Sequence, residues 1–240
     1  MGILAFETSA KAASVALLEG GNLLAESYQN AGLTHSRTIL VMAEHLLQSC
    51  ELTPQDVEAV AVAMGPGSFT GVRIGMAAAK GFAWGRELPL FGVSTLEAMA
   101  WGLGELEGLI CPVMDARRSQ VYNALFRASG GTLTRLRQDR AISMTDLEAD
   151  LQSLAEPVTL VGDGALLCSG SMSLSAGRLL LAPEHRRQQR ASGVALAAWA
   201  AMQRDEISDA NSLQPNYLRL SQAERERLER LQAAERKDNE

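Results

Sequence analysis

Two carboxylates sit where chemistry could be done. Glu7 ends a short apolar run, Ile3 to Phe6, and Asp115 ends another, Leu109 to Met114. An acid at the end of a buried strand can hold a metal ion or a water beside a phosphate. It can equally well accept the amides of the turn that follows. Thr8 and Ser9 follow Glu7, and Ala116-Arg117-Arg118-Ser119 follow Asp115. Neither turn has the several glycines that bring backbone N–H groups onto phosphate, so both readings stand. A third feature is the turn Gly65-Pro66-Gly67. Its glycines permit positive φ or close backbone approach, and the proline fixes one dihedral between them. The histidines, His35, His45 and His185, have no spacing that puts two ligands on one turn of helix. No nucleophile elbow accompanies Ser9 or Ser68, so a Ser-His-Asp triad is not indicated.

The elements that would position these residues follow from periodicity. After the first strand, Ala13 to Leu18 and Leu23 to Ser27 read as strands joined by Gly20-Gly21-Asn22. Thr34 to Cys50 has the helical period in Ile39, Leu40, Ala43, Leu46 and Leu47, with Thr34 or Ser36 as its cap. Val57 to Met64 is a strand, and the Gly-Pro-Gly turn carries it into a helix from Ser68 to Trp84. On that helix Gly71, Gly75, Ala78 and Ala79 make a stripe of small residues. Each interior glycine costs roughly 1 kcal/mol relative to Ala, so a close contact must need them. That contact is either another helix or a tight packing partner inside the chain. Leu88 to Val93 is a strand, and Ser94 caps a helix from Thr95 to Leu106.

The pattern then repeats. Leu109 to Met114, Val121 to Phe126 and Thr132 to Leu136 read as three strands, the last two joined by Gly130-Gly131. A helix from Met144 to Leu154, strands Val158 to Val161 and Leu179 to Ala182, and an Ala-rich helix Ser192 to Met202 complete the set. The expected class is α/β, with two lobes of related topology. We divide the chain into a first lobe at 1–106, a second at 107–212, and a final part at 213–240 that returns to the first lobe. That final part comprises an extended linker around Pro215 and a charged tail from Gln222.

Composition narrows the function classes. The chain of 240 residues has 47% hydrophobic content but only 5% aromatic, so Ala, Val, Leu and Gly must fill the core. A net charge of −6 argues against a surface that attracts nucleic acid everywhere. Arg117 with Arg118, and Arg186-Arg187-Gln188-Gln189-Arg190, are local basic spots that read as solvated surface or as a local RNA contact. Cys50, Cys111 and Cys168 form no CxxC pair and read as core residues in a reducing compartment. No signal peptide and no membrane-length apolar run is visible, so a soluble cytoplasmic protein is expected.

Two meander-led lobes with an acid after each first strand resemble the phosphate-binding folds of the actin, sugar-kinase and Hsp70 type. More specifically, GPGSFTGVRIGMAAAKGFAWG, PLFGVSTLEAMA, THSRTILVMAEHLL, VMDARRSQVYNALF and LRLSQAERER together resemble the bacterial TsaB (YeaZ) family. The resemblance implies an actin-like (ASKHA) fold, each lobe a mixed sheet with flanking helices. It implies a non-catalytic partner of the transferase TsaD. With the ATPase TsaE, the two support formation of N6-threonylcarbamoyladenosine in tRNAs reading codons that begin with adenine.

TsaD-like relatives carry a metal-binding HxxxH pair where this chain has Ser94-Thr95-Leu96-Glu97-Ala98. The resemblance therefore implies no metal and no cofactor of its own, with ATP or ADP belonging to the TsaD and TsaE assembly. It implies docking on TsaD through the two helices of the first lobe, and a homodimer through the same surface when TsaD is absent. The residues expected there are His35, Ile39, Met42, Leu46, Phe69, Val72, Arg73, Gly75, Met76, Ala79 and Lys80. A vestigial nucleotide cleft would comprise Glu7, Thr8, Ser9, Gly65, Gly67 and Asp115. The alternative is an ATP-dependent transferase or hydrolase acting through that cleft.

Overall fold

The computed structural model describes residues 2–175, 177–206 and 212–219. The chain opens with a meander of β1 (Gly2–Glu7), β2 (Ala13–Glu19) and β3 (Asn22–Gln29). Gly20 and Gly21 join β2 to β3 at φ +56° and +86°, the two left-handed positions that a two-residue hairpin loop demands. Helix α1 (His35–Ser49), a 3₁₀ turn at Pro54–Asp56, β4 (Ala59–Ala63), α2 (Phe69–Trp84), β5 (Leu90–Val93) and α3 (Thr95–Trp101) follow. The first sheet has the order β3-β2-β1-β4-β5, antiparallel through the meander and parallel from β1 to β5.

The second half repeats this arrangement. Strands β6 (Gly108–Asp115), β7 (Gln120–Ser129) and β8 (Thr132–Ser143) form the meander. Helix α4 (Met144–Gln152), β9 (Val158–Val161), α5 (Ala165–Ser171), β10 (Leu179–Leu181), a 3₁₀ turn at Glu184–Arg186 and α6 (Ala191–Met202) complete it. The second sheet runs β8-β7-β6-β9-β10, with the same sense of pairing. The internal similarity read from strand, acid and turn is therefore a duplication of topology.

Strand alternation sets the layers. Leu4 and Phe6 of β1 point toward α1 and α2, in a core with Ile39, Leu46, Val60 and Met76. Ile3 and Ala5 point the other way, onto Val194, Ala195 and Ala198 of α6. Helix α3 lies between the lobes. Its Leu96 and Met99, with Leu103 just past its end, pack on Ile110 and Phe126 of the second sheet, while Ala98 meets α6. Helix α6, at positions we grouped with the second lobe, thus covers the first sheet. Its Ala-rich surface is apolar all round, as a helix enclosed between a sheet and another helix requires.

Several local expectations are corrected. Neither Thr34 nor Ser36 caps α1, which begins without a side-chain cap bond. Ser68 and Ser94 do cap α2 and α3, accepting from the amides of Gly71 and Glu97. Strand β8 runs on to Ser143, well past Leu136. Its later residues are charged, and ion pairs of Arg137 and Arg140 with Asp150 let them lie along the strand. Helix α5 had no visible signal, because its seven residues are too few to show a period. The charged tail from Gln222 lies outside the described residues.

Candidate functional site

The Gly-Pro-Gly turn and α2 are built around the end of β1. Gly67, Gly71 and Gly75 recur every four residues and so form one stripe. A Cβ on Gly67 would overlap the Ser9 carbonyl, one on Gly71 the Thr8 carbonyl, and one on Gly75 the Thr8 hydroxyl. The Ser68 amide donates to Ser9 O at 2.6 Å, and the Thr8 hydroxyl donates to Gly71 O at 2.7 Å. The helix is thereby seated on the backbone of its own first turn. Of the two contacts that the glycine stripe could serve, the one inside the chain is present.

Most of the side chains expected at a docking surface are committed inside the chain. Ile39, Met42, Leu46, Val72, Met76 and Ala79 are buried in the first lobe, so these side chains face inward. Gly75 is buried as well. The His35 ring bonds Ala10 O through Nε2 at 2.8 Å, pinning the start of α1 to the β1–β2 turn. Phe69, Arg73 and Lys80 hold the C-terminal segment. Phe69 stacks on Tyr217 with centroids 4.5 Å apart, Arg73 Nε donates to Tyr217 Oη at 2.8 Å, and Lys80 Nζ donates to Leu213 O at 2.8 Å.

The outward face of the same two helices carries other residues. On α2 it presents Ala77, Gly81 and Trp84, and on α1 Leu40 and Val41. Trp84 is 73% exposed, Leu40 54% and Val41 47%. Among the described residues, a Cβ on Gly81 would meet nothing within 4 Å. Inverting the helical period would have found Val41, Ala77, Gly81 and Trp84, which lie opposite the buried stripe; Leu40, counted in the apolar period of α1, flanks that stripe and is exposed instead.

The second cluster lies at the junction of the lobes. Glu7 is 1% exposed, and its Oε1 accepts the Ser9 amide at 2.6 Å. Burial pushes its carboxyl up to about 7, and the nearby Asp163 adds to the rise. Among the described residues neither its Oε2 nor the Ser9 hydroxyl makes a hydrogen bond of normal geometry, although the Ser9 side chain beside the carboxyl offsets part of the rise. Asp163 Oδ1 accepts from Gln189 Nε2 at 3.0 Å. Burial raises the Asp163 carboxyl too, with a further push from Asp115. Gln189 is fully buried, and its Oε1 is unpaired.

Asp115 accepts the Arg117 amide at 2.7 Å. Glu7 and Asp115 therefore do the same thing in the two repeats: each accepts the amide two residues on and closes its turn. Asp163 and Gln189 escaped the sequence reading, although Gly162-Asp163-Gly164 was a visible turn signal. The turn after Asp115 is unusual. Arg117, Arg118 and Ser119 all have left-handed φ, at 66°, 55° and 56°. Gly65, at φ +103°, faces the backbone of Asn216. Among the described residues no group of three or more His, Cys, Asp or Glu side chains is placed to hold a metal ion.

Comparison with known proteins bears on what this arrangement is. Residues 29–226 match the family described as "TsaD: tRNA N6-adenosine threonylcarbamoyltransferase". The tRNA threonylcarbamoyladenosine biosynthesis protein TsaB of Bacillus subtilis is 34% identical, over 95% of this chain and 99% of its own length. Among solved structures, YeaZ from Pseudomonas aeruginosa is similar with a TM-score of 0.76 and 25% identity, covering 90% of this chain and 99% of that one. Component A of the (R)-2-hydroxyglutaryl-CoA dehydratase of Acidaminococcus fermentans shares the actin-like fold, with a TM-score of 0.51 at 12% identity. It covers 83% of this chain and 98% of that one.

Proposed function

The chain belongs to the TsaB (YeaZ) family of tRNA threonylcarbamoyladenosine biosynthesis, and from that premise we propose that it is a docking and activating subunit rather than an enzyme. Its partner is TsaD, and the contact is the outward face of α1 and α2. TsaE joins the pair, and ATP or ADP belongs to that assembly, with no cofactor held by this chain alone. The product is N6-threonylcarbamoyladenosine in tRNAs reading codons that begin with adenine, and tRNA meets this chain mainly through the complex. In the absence of TsaD the same face pairs two copies. The setting is the cytoplasm; no helix among the described residues is long and apolar enough to cross a membrane.

The observation that carries this reading is Gly81. A glycine inside an exposed helix costs roughly 1 kcal/mol relative to Ala. Gly67, Gly71 and Gly75 have a reason within the chain, but Gly81 has open space around it. Beside Ala77, and flanked by the exposed Trp84, it leaves a shallow surface that another helix can approach closely. Two helices from each partner then make a four-helix contact. Binding there acts by favouring one conformation of TsaD, not by supplying a reacting group.

The rival reading, an enzyme using the Glu7 cleft, has less support. The glycines that would cradle phosphate are occupied by Ser9 and Thr8, and Glu7 already closes its own turn.

The test separates docking from folding. Gly81→Arg adds a side chain into open space, so the chain stays folded, while the contact with TsaD is blocked. Titration calorimetry of the purified chain with TsaD should show the heat of binding lost. Unchanged affinity in Gly81→Arg would remove this reading. ATP with Mg²⁺ titrated into the isolated chain should give no heat, whereas binding abolished by Glu7→Ala would favour the enzyme.

A further inference from the structure

The residues from Ser212 to Arg219 cross from one lobe to the other. Leu213 is 8% exposed and sits in the first lobe's core, in space that exists because residue 92 is glycine. The Asn216 amide donates to Met64 O at 2.7 Å, and its carbonyl passes over Gly65, where a Cβ would come within 2.8 Å. Tyr217 lies on Phe69, with the Arg73 guanidinium 3.9 Å from the Phe69 ring centre. Lys80 fixes the Leu213 carbonyl. All of these contacts are on the first lobe.

Two residues later the segment reaches the second lobe. Arg219 Nη1 donates to Ala116 O at 2.5 Å and lies 3.5 Å from Arg117 O. These carbonyls belong to the left-handed turn. Three successive non-glycine residues in that conformation cost roughly 1–2 kcal/mol each, so the turn persists only where its surroundings hold it. The turn's own bonds are Ala116 N to Gln120 O, Gln120 N to Arg117 O and Arg117 N to Asp115 Oδ1, and the Met144 amide donates to Ser119 O. Arg219 adds a charged donor to two carbonyls that the turn directs outward.

We propose that Ser212–Arg219 is a clasp that fixes the relative position of the two lobes, with Arg219 as its hook and the Ala116–Ser119 turn as its catch. Two sheets joined through α3 and α6 can rotate about those helices. A tether anchored by a buried leucine and an aromatic stack on one lobe, and by a charged donor on the other, restrains that rotation. The strained turn is the shape that exposes the catch.

The test compares inter-lobe distance with and without the hook, in the full-length chain. Spin labels at Gln48→Cys on α1 and Ala149→Cys on α4, in a Cys50→Ser background, report the distance by pulsed electron resonance. Both labelled positions are exposed, and the remaining cysteines are buried. With Arg219 intact the distribution should be narrow. Arg219→Ala should shift and broaden it, and Tyr217→Ala, which loosens the anchor, should do the same. Hydrogen exchange supplies a local reading: the Ala116 and Gln120 amides should exchange faster in Arg219→Ala. Faster exchange at the turn with an unchanged distance distribution would overturn the clasp, leaving Arg219 as a cap for the turn alone. An unchanged distribution with unchanged exchange would overturn it as well. Should Tyr217→Ala fail to fold, Arg219→Ala decides alone, since Arg219 takes no part in a core.

Discussion

Replacing Glu7 by Gln should stabilise this protein in alkali and do much less in acid. Glu7 is buried, and its carboxyl is raised from 4.5 to about 7. The native state therefore holds the proton more tightly than the unfolded chain. Stability is highest below the unfolded value, falls as pH rises from about 4.5 to about 7, and is level above that. A shift of this size corresponds to about 3 kcal/mol lost by pH 8.5, and under about 1 kcal/mol lost at pH 5.0. Gln has the same shape and keeps an oxygen for the Ser9 amide, but it carries no charge at any pH. The gain from Glu7→Gln should therefore be about 2.5 kcal/mol larger at pH 8.5 than at pH 5.0. For a chain of this length that is roughly 5 °C in melting temperature. Differential scanning calorimetry at the two pH values reads it directly. Asp163 is raised as well, so the variant should keep a shallower decline of its own. An equal change in melting temperature at both pH values, or a lower melting temperature for Glu7→Gln at pH 8.5, would refute the argument that an uncompensated carboxylate sits between the lobes.

Other expectations follow from packing. Gly75→Ala should cost about 2 kcal/mol or more in urea unfolding, because its Cβ overlaps the Thr8 hydroxyl; Thr8→Ala in the same chain should recover part of that, a coupling that a double-mutant cycle measures. Gly81→Ala should do the opposite and raise stability by about 0.5–1 kcal/mol, as open space and helix propensity dictate. Leu213→Ala should destabilise by about 2–4 kcal/mol despite its distance in sequence from the rest of the core, and the chain's thermal transition reports it. In the native state a thiol reagent should label Cys50 far faster than Cys111 or Cys168. Those two are fully buried, with the Cys168 thiol pushed up to about 11 and Cys111 higher still by burial; all three should react once the chain is unfolded.

A docking surface on the outer side of α1 and α2, as proposed, would leave the first lobe's core untouched by a partner. Changes at Gly71 or Gly75 would then act on folding, and changes at Gly81 on association. Arg73 and Lys80 lie on the same helix as that surface, yet their donors are committed to the C-terminal segment. The proposed docking helix and the proposed inter-lobe clasp would thus share one scaffold.

Much of the architecture was legible in the residues themselves. Short apolar runs marked the strands, Gly-Gly pairs marked the hairpins, and the repeat of strand, acid and turn from Ile3 and from Leu109 disclosed two lobes. These signals are local, so a linear reading suffices. The motifs also carried the family, since they recur in order along the chain. What sequence could not decide was direction. A stripe of small residues says that something approaches closely, but not whether it is a partner or the chain's own β1, and only the tertiary structure put Thr8 and Ser9 there. For the same reason the periodic apolar positions of α1, Leu40 excepted, and the small-residue stripe of α2 proved to face inward, and the outward face had to be read as their complement. Gln189, Asp163 and Glu7 are far apart in sequence, so their shared burial was invisible until the two lobes closed on each other. The strand assignment past Leu136 failed because charges paired across the fold look, in one dimension, like a solvated loop. Local propensity fixes elements and turns, whereas the partner of each buried surface is set by contacts between residues that the chain separates widely.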